Sequence, residues 1–82
     1  MPETSNARAA IREVLGPLAR EKGVTLADET ELVTDLDLDS MRTMEMVLEL
    51  EEHLDLSIPL NILPNVRTLA DLERELDRLT ES

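Results

Sequence analysis

The sequence predicts an all-α fold: a small four-helix bundle with three long helices, one short helix and a long loop between helices one and two. Its 82 residues suffice for one compact core, so we expect a single domain spanning residues 1–82. Apolar residues make up 41% of the chain and none is aromatic, which favours an aliphatic core between packed helices. Apolar residues recur at helical spacing, and the alternation typical of a strand is absent.

The first helix is predicted to begin with Thr4 or Ser5 as its N-cap and to run to about Lys22, with Gly23 as its stop. Pro17 lacks a backbone donor, so we expect a kink there. One face of this helix is apolar and carries Ala7, Ala10, Ile11, Val14, Leu15 and Leu18.

Residues 24–38 show no sustained period and predict a long surface loop. We expect four apolar side chains to anchor this loop to the core: Leu26, Leu32, Val33 and Leu36.

The second helix is predicted to begin at Asp39-Ser40 and to be amphipathic. Its apolar side is expected to consist of Met41, Met44, Val47, Leu48, Leu50 and Leu54. Its opposite arc carries Arg42, Glu45, Glu49, Glu52 and His53.

Two further helices complete the prediction. A short helical turn fits between Leu60 and Leu63, before Pro64. The last helix has Thr68 as N-cap and Asp71 three residues later, a weaker form of the capping box. Its buried stripe is expected to be Leu69, Leu72, Leu76 and Leu79.

The net charge of −11 is concentrated between Asp28 and Asp55, where eleven acidic residues accompany a single base, Arg42. Such a field repels nucleic acid and anionic membranes and attracts basic proteins, although it would also serve simply to keep the protein in solution. The chain has no cysteine and no membrane-length apolar run, and its first residues lack the basic and then apolar pattern of a signal peptide. We therefore expect a cytoplasmic protein that binds neither nucleic acid nor membrane.

The segment 35–41 joins loop acids to the predicted helix start, and the simplest interpretation is structural: Asp39 caps the helix and Ser40 is its first residue. A calcium loop is a second interpretation, because aspartates stand at the first, third and fifth positions of an EF-hand. That loop would then need Gly and Glu where this chain has Ser40 and Met46.

Two interpretations make Ser40 reactive. As a nucleophile it would need a nearby base, but the only histidine, His53, lies roughly 20 Å along the same helix. As a passive acceptor it would be modified by another enzyme, since a helix N-terminus tolerates a phosphodiester.

A family resemblance favours the last interpretation. The segment Asp39-Ser40-Met41 at the head of an acidic helix, continued as residues 45–52 and closed by Leu56-Ser57-Ile58-Pro59, resembles the acyl carrier proteins and their peptidyl relatives. The resemblance covers nearly the whole chain, including residues 32–36 and 68–72. It implies that Ser40, between Asp39 and Met41, carries 4'-phosphopantetheine, installed from coenzyme A by a magnesium-dependent phosphopantetheinyl transferase.

The resemblance also implies roles for other residues. The arm would hold acyl, aminoacyl or peptidyl cargo as a thioester, and the chain itself would be a carrier without catalytic or metal-ligating residues. Met41 and Leu48 are expected to contact partner enzymes through apolar surface, and Glu45, Glu49 and Glu52 through charge. We also expect Arg42 to belong to this partner-binding surface. A further set is either ordinary core or a lining that parts around the cargo: Val47, Leu50, Ile58, Val66 and Leu72.

Four departures from the family pattern narrow the expected pathway. Asp37 replaces the usual Gly, Met41 the common Leu, Arg42 an acid, and Leu60-Asn61-Ile62 an acidic segment. They favour a discrete carrier of a polyketide or nonribosomal-peptide pathway over one of fatty-acid synthesis. The expected partners are then a ketosynthase, an acyltransferase, or adenylation and condensation enzymes, and we expect a monomer.

Two alternatives stay open at this point. One is an aminoacyl or peptidyl carrier that serves an adenylation-enzyme system. The other belongs to a different class: an acidic helical adaptor that binds basic proteins and has no prosthetic group.

Overall fold

The computed structural model describes residues 6–80 and confirms the predicted helical bundle. Helix α1 spans Asn6–Lys22, α2 spans Ser40–Leu54, a short 3₁₀ helix spans Leu60–Asn65, and α3 spans Leu69–Thr80. Residues 6–80 contain no strand, only an isolated bridge between Glu31 and Thr68. The predicted caps of the first helix, Thr4 and Ser5, lie outside the described residues.

Helix α1 is the centre of the bundle, since it packs against both α2 and α3. An ion pair adds to the second contact, because Arg8 Nε lies 3.1 Å from Glu73 Oε1. The core between these helices is aliphatic throughout, as the composition predicted. Its most deeply buried side chains are Ala7, Leu15, Leu36, Leu50, Leu72 and Leu76.

Helix α1 contains Pro17 and ends where the sequence predicted. Gly23, directly after it, has a φ of 70°, a left-handed conformation that ends helices and that glycine adopts without steric cost. The kink at Pro17 stays a prediction.

The long loop is bonded to the beginning of α3. The N–H groups of Leu69 and Ala70 donate to the carbonyl oxygens of Thr30 and Asp28, at 2.9 and 3.0 Å. The N–H of Leu32 donates to the carbonyl of Arg67 at 3.0 Å. Because the first N–H groups of a helix have no partner within it, the loop satisfies donors that α3 would otherwise leave unpaired. Loop and helix therefore hold each other in place.

Thr30 fixes the shape of the loop on the other side of this contact. It is the only buried polar residue among residues 6–80. Its Oγ1 donates to the carbonyl of Thr25 at 2.8 Å and accepts from the N–H of Ala27 at 2.9 Å. The hydroxyl thus both donates and accepts a hydrogen bond, which offsets the cost of burying a polar group.

The predicted cap of α3 is confirmed. The N–H of Asp71 donates to Thr68 Oγ1 at 3.2 Å, and the N–H of Thr68 donates to Asp71 Oδ2 at 3.1 Å, which is a capping box with Asp in place of Glu. Hydrogen bonds from the backbone of Thr68 and then of Arg67 lower the pKa of Asp71.

Two sequence predictions about burial are wrong. Met44, placed on the apolar side of α2, is exposed, whereas Met46, which we had not placed there, is buried. Met41 and Leu48, on the same side, are also exposed, as their expected contacts with partner enzymes would require. The apolar residues of α2 span more of its circumference than α1 and the loop cover, and the covered arc is centred on Leu50.

The second error concerns the loop. Val33 is 69% exposed, and Leu38, which had no predicted role, is buried together with Leu32 and Leu36. The anchoring side chains belong to a series of turns between Glu31 and Leu38, so residues next to each other in sequence point to different sides.

Candidate functional site

Ser40 lies at the point where the loop becomes a helix, and two buried leucines decide how it is presented. Leu36 and Leu38 are in the core, whereas Asp37, Asp39 and Ser40 are exposed. The N–H of Leu38 donates to the carbonyl of Leu32 at 3.2 Å, which holds the last turn of the loop against the protein. An anchored backbone therefore delivers Ser40 to the surface.

Asp39 sets the first residue of α2, as predicted. Its backbone is extended, with φ −89° and ψ −173°, and its Oδ1 accepts the N–H of Arg42 at 2.8 Å. Its carbonyl accepts the N–H of Thr43 at 2.8 Å and so begins the helical hydrogen bonding. This is the geometry of an N-cap, and it makes Ser40 the first residue of the helix.

The three aspartates that precede Ser40 contact three different groups. Asp35 accepts the N–H of Glu31 at 2.8 Å, Asp37 pairs with Lys22, and Asp39 caps α2. Within residues 6–80 no group of three or more acidic, histidine or cysteine side chains is arranged to hold a metal ion. The aspartates therefore shape the loop and do not converge on a common point.

Asp37 occupies the position where the resemblance would place a glycine. Its φ is 57°, in the left-handed region, which Asp tolerates better than most residues with a side chain. Its Oδ2 lies 3.3 Å from Lys22 Nζ at the end of α1. The ion pair links the approach to Ser40 to the neighbouring helix, although an exposed pair of this kind contributes little stability.

Ser40 has no histidine within reach. The chain has one histidine, His53, which is exposed in the last turn of α2, and Ser40 is in the first turn of the same helix. The chain has no cysteine or tyrosine. The histidine base that activates many serine nucleophiles is therefore not available to Ser40 within its own helix.

The beginning of α2 fits a phosphodiester on Ser40. The N–H groups of Ser40 and Met41 have no hydrogen-bond partner among the described residues, as is usual in the first turn of a helix. Free N–H groups and the positive end of the helix dipole stabilise an anion at this point. The exposed hydroxyl of Ser40 leaves room for a substituent.

The surface beside Ser40 combines apolar and acidic side chains. Met41 is 71% exposed and Leu48, two helical turns later, is 56% exposed. Three exposed glutamates of α2 lie along the same side: Glu45, Glu49 and Glu52. We call these five residues the outer face of α2. Arg42 is exposed at its edge.

Two further apolar residues are exposed without having been predicted so. Met44 is 39% and Leu60, in the 3₁₀ helix, is 51% exposed. The position of Leu60 depends on how the 3₁₀ helix packs, so no local sequence signal could have identified it.

The predicted cargo lining lies in the core. Val47, Leu50, Ile58 and Leu72 are buried, and Val66 packs against them while partly exposed. Their opening around a cargo stays a prediction. No helix within residues 6–80 is both long and apolar enough to cross a membrane.

Comparisons with known proteins agree with this geometry. Residues 8–76 match the family described as the phosphopantetheine attachment site. A curated relative from Caulobacter vibrioides (strain NA1000 / CB15N), described as "Probable acyl carrier protein", is 36% identical over 70 residues. The matched region is 85% of this chain and 76% of the relative.

Proposed function

The chain belongs to the acyl carrier protein family, which carries a covalently attached 4'-phosphopantetheine, and we propose that Ser40 is the attachment point. The prosthetic group supplies a terminal thiol on which cargo is held as a thioester, a chemistry that this cysteine-free chain lacks. The chain would act as a carrier and leave catalysis to its partners.

One observation carries the assignment to Ser40: it is an exposed serine at a helix N-terminus with free N–H groups and no histidine beside it. That setting suits a serine that receives a group from another enzyme. The free N–H groups favour the phosphodiester once it has formed. The acidic neighbours oppose the anion, so their role would lie in docking the basic surface of the modifying enzyme.

The residues around Ser40 then have either a structural role or a role in binding partner enzymes. Asp39 fixes where α2 begins, and Leu36 and Leu38 fix the backbone that leads to Ser40. The outer face of α2 would receive the phosphopantetheinyl transferase and later the enzymes that load and use the cargo. Its exposed Met41 and Leu48 offer apolar surface that docking would remove from water.

We also propose a polyketide or nonribosomal-peptide pathway. The proposal rests on Arg42, which interrupts the acidic row of α2, and on the 3₁₀ helix, which contains no charged residue between Leu60 and Asn65. A partner enzyme that recognises acidic side chains at residue 42 and in the 3₁₀ helix would find no acidic side chain at either position. Ketosynthase, acyltransferase, adenylation or condensation enzymes are the proposed partners, met transiently by a monomer.

The test is modification of the apo protein by coenzyme A and a promiscuous phosphopantetheinyl transferase with Mg²⁺, followed by intact-mass analysis. We expect the mass to rise by one phosphopantetheinyl group in the native chain and in Ser57→Ala, which removes another exposed serine. We expect no rise in Ser40→Ala. A gain that persists in Ser40→Ala would place the group elsewhere, and no gain in the native chain would contradict the carrier function.

A further inference from the structure

Arg42 is a free cation in an acidic region. It is the only arginine or lysine between Asp28 and Asp55, and its guanidinium forms no ion pair within 4.0 Å among the described residues. Its backbone N–H donates to Asp39 Oδ1, but its guanidinium makes no hydrogen bond to another described residue. Glu45, three residues later, lies at a spacing where helical ion pairs form, yet the two do not pair. The Arg42 side chain is therefore available to another molecule.

Arg42 lies at the edge of a groove between α1 and α2. The carboxylate side chains around the groove are Glu21 of α1 and Glu45 and Glu49 of α2. Its apolar lining includes Val14, Leu18, Leu38 and Met46. Because Arg42 stands two residues after Ser40, the α2 edge of the groove is positive at the end near Ser40 and negative further along.

This order of charges distinguishes between partner surfaces. A surface with bases along its whole length would be attracted by Glu45 and Glu49 but repelled by Arg42. A surface with an acidic side chain opposite Arg42, followed by bases, would be complementary at all three residues. Like charges brought together at an interface disfavour the wrong partner, and opposite charges favour the right one.

Resting on the proposed carrier function, we propose that Arg42 selects partner enzymes by charge. The partners that it fits dock over the α1/α2 groove and place an acidic side chain against Arg42 and basic side chains against Glu45 and Glu49. Enzymes with a uniformly basic docking surface bind this carrier more weakly than they would if residue 42 were acidic.

The experiment measures binding, not modification, so it does not depend on whether Ser40 is modified. The probe is a broad-specificity phosphopantetheinyl transferase chosen for a uniformly basic carrier-binding surface, and its Kd is measured for carriers that all contain Ser40→Ala. The test variants are Arg42→Glu and Arg42→Gln. The matched control is Arg12→Glu, an exposed arginine of α1 without an ion pair, in a cleft that faces α3. Circular dichroism checks that every variant is folded.

We expect Arg42→Glu to lower the Kd about five- to tenfold at low salt and Arg42→Gln about two- to threefold. High salt should reduce both effects, since it screens exposed charges. Arg12→Glu, which makes the same change in net charge, should alter the Kd less than about twofold. If Arg42→Glu and Arg12→Glu change the Kd equally, or if Arg42→Glu leaves it unchanged, Arg42 is not a selecting residue.

A second measurement tests the acidic partner group directly. Single basic residues of the transferase surface are replaced by Glu, and each variant is tested against the Arg42 and Arg42→Glu carriers. We expect one replacement to tighten binding to the Arg42 carrier and to weaken binding to Arg42→Glu, a coupling that non-contacting residues do not show. Absence of any such replacement would overturn the inference, whereas the proposed function stands or falls on the separate mass analysis of Ser40.

Discussion

Asp39→Ala tests whether the cap at the start of α2 stabilises the site, because among residues 6–80 Asp39 is the only side chain that bonds the first turn. In the native protein Asp39 Oδ1 accepts the N–H of Arg42 at 2.8 Å. The alanine variant leaves this N–H without a protein partner, while the backbone path and Ser40 are unchanged.

The expected loss of stability follows from that single bond. Replacing an N-cap by Ala typically costs ~1 kcal/mol, within a range of about 0.5–2 kcal/mol. Asp39 is exposed, so water can replace part of the lost bond, and we expect about 0.5–1 kcal/mol. For a domain of this size each kcal/mol corresponds to roughly 4–8 °C in Tm, so the Tm should fall by about 2–8 °C.

Urea unfolding followed by far-ultraviolet circular dichroism is the suitable assay, because the chain has no aromatic residue for fluorescence. Asp39→Asn is the matched control: it keeps a side-chain acceptor and loses the charge. Asn caps about as well as Asp. The free energy of unfolding of Asp39→Asn should therefore stay within a few tenths of a kcal/mol of the native value, apart from the small loss of the interaction between the carboxylate and the helix dipole.

Two results would refute this explanation. A midpoint for Asp39→Ala equal to the native one would mean that the cap adds nothing to stability. An equal loss in Asp39→Asn and Asp39→Ala would mean that the carboxylate charge, and not the hydrogen bond, stabilises α2.

Two further predictions concern the loop and α3. Thr30→Val removes a buried hydroxyl that bonds two loop backbone groups, so the free energy of unfolding in urea should fall by about 1–3 kcal/mol. Thr30→Ser keeps the hydroxyl and should retain most of the native stability. Equal urea midpoints for the Val and Ser variants would contradict the role of the hydroxyl. Because backbone hydrogen bonds lower the pKa of Asp71 below its ordinary 3.8, its stabilisation is complete above about pH 4 and is lost as the pH falls through the folded pKa. Urea midpoints measured between neutral and acid pH should therefore fall further in the native protein than in Asp71→Asn, and parallel curves would show that Asp71 does not contribute.

The helix boundaries were predictable because they depend on neighbouring residues. Asp39, Gly23 and the pair Thr68 and Asp71 each act within one turn of a helix, and the structure confirms all of them. The position of Ser40 at the head of α2 followed from the same local pattern, and the family comparison supports its interpretation.

What could not be predicted depends on residues far apart in the chain. The side of α2 that is covered is decided by where α1 and the loop pack, which is why Met46 is buried and Met44 is not. The bonds between loop and α3 join backbone groups, and side-chain identity says little about which backbone groups will pair. The free state of Arg42 likewise required the positions of the carboxylates around it.

The bonds between the loop and α3 also have a consequence for the order of events during synthesis. The carbonyls of Asp28 and Thr30 receive their donors from Ala70 and Leu69, about forty residues later in the chain. A nascent chain that the ribosome has made only as far as α2 contains Ser40 but lacks residues 67–70, which bond the loop. The loop before Ser40 can therefore form these hydrogen bonds only after residues 67–70 have left the ribosome. A modifying enzyme that requires the fully bonded loop then acts after α3 has been made.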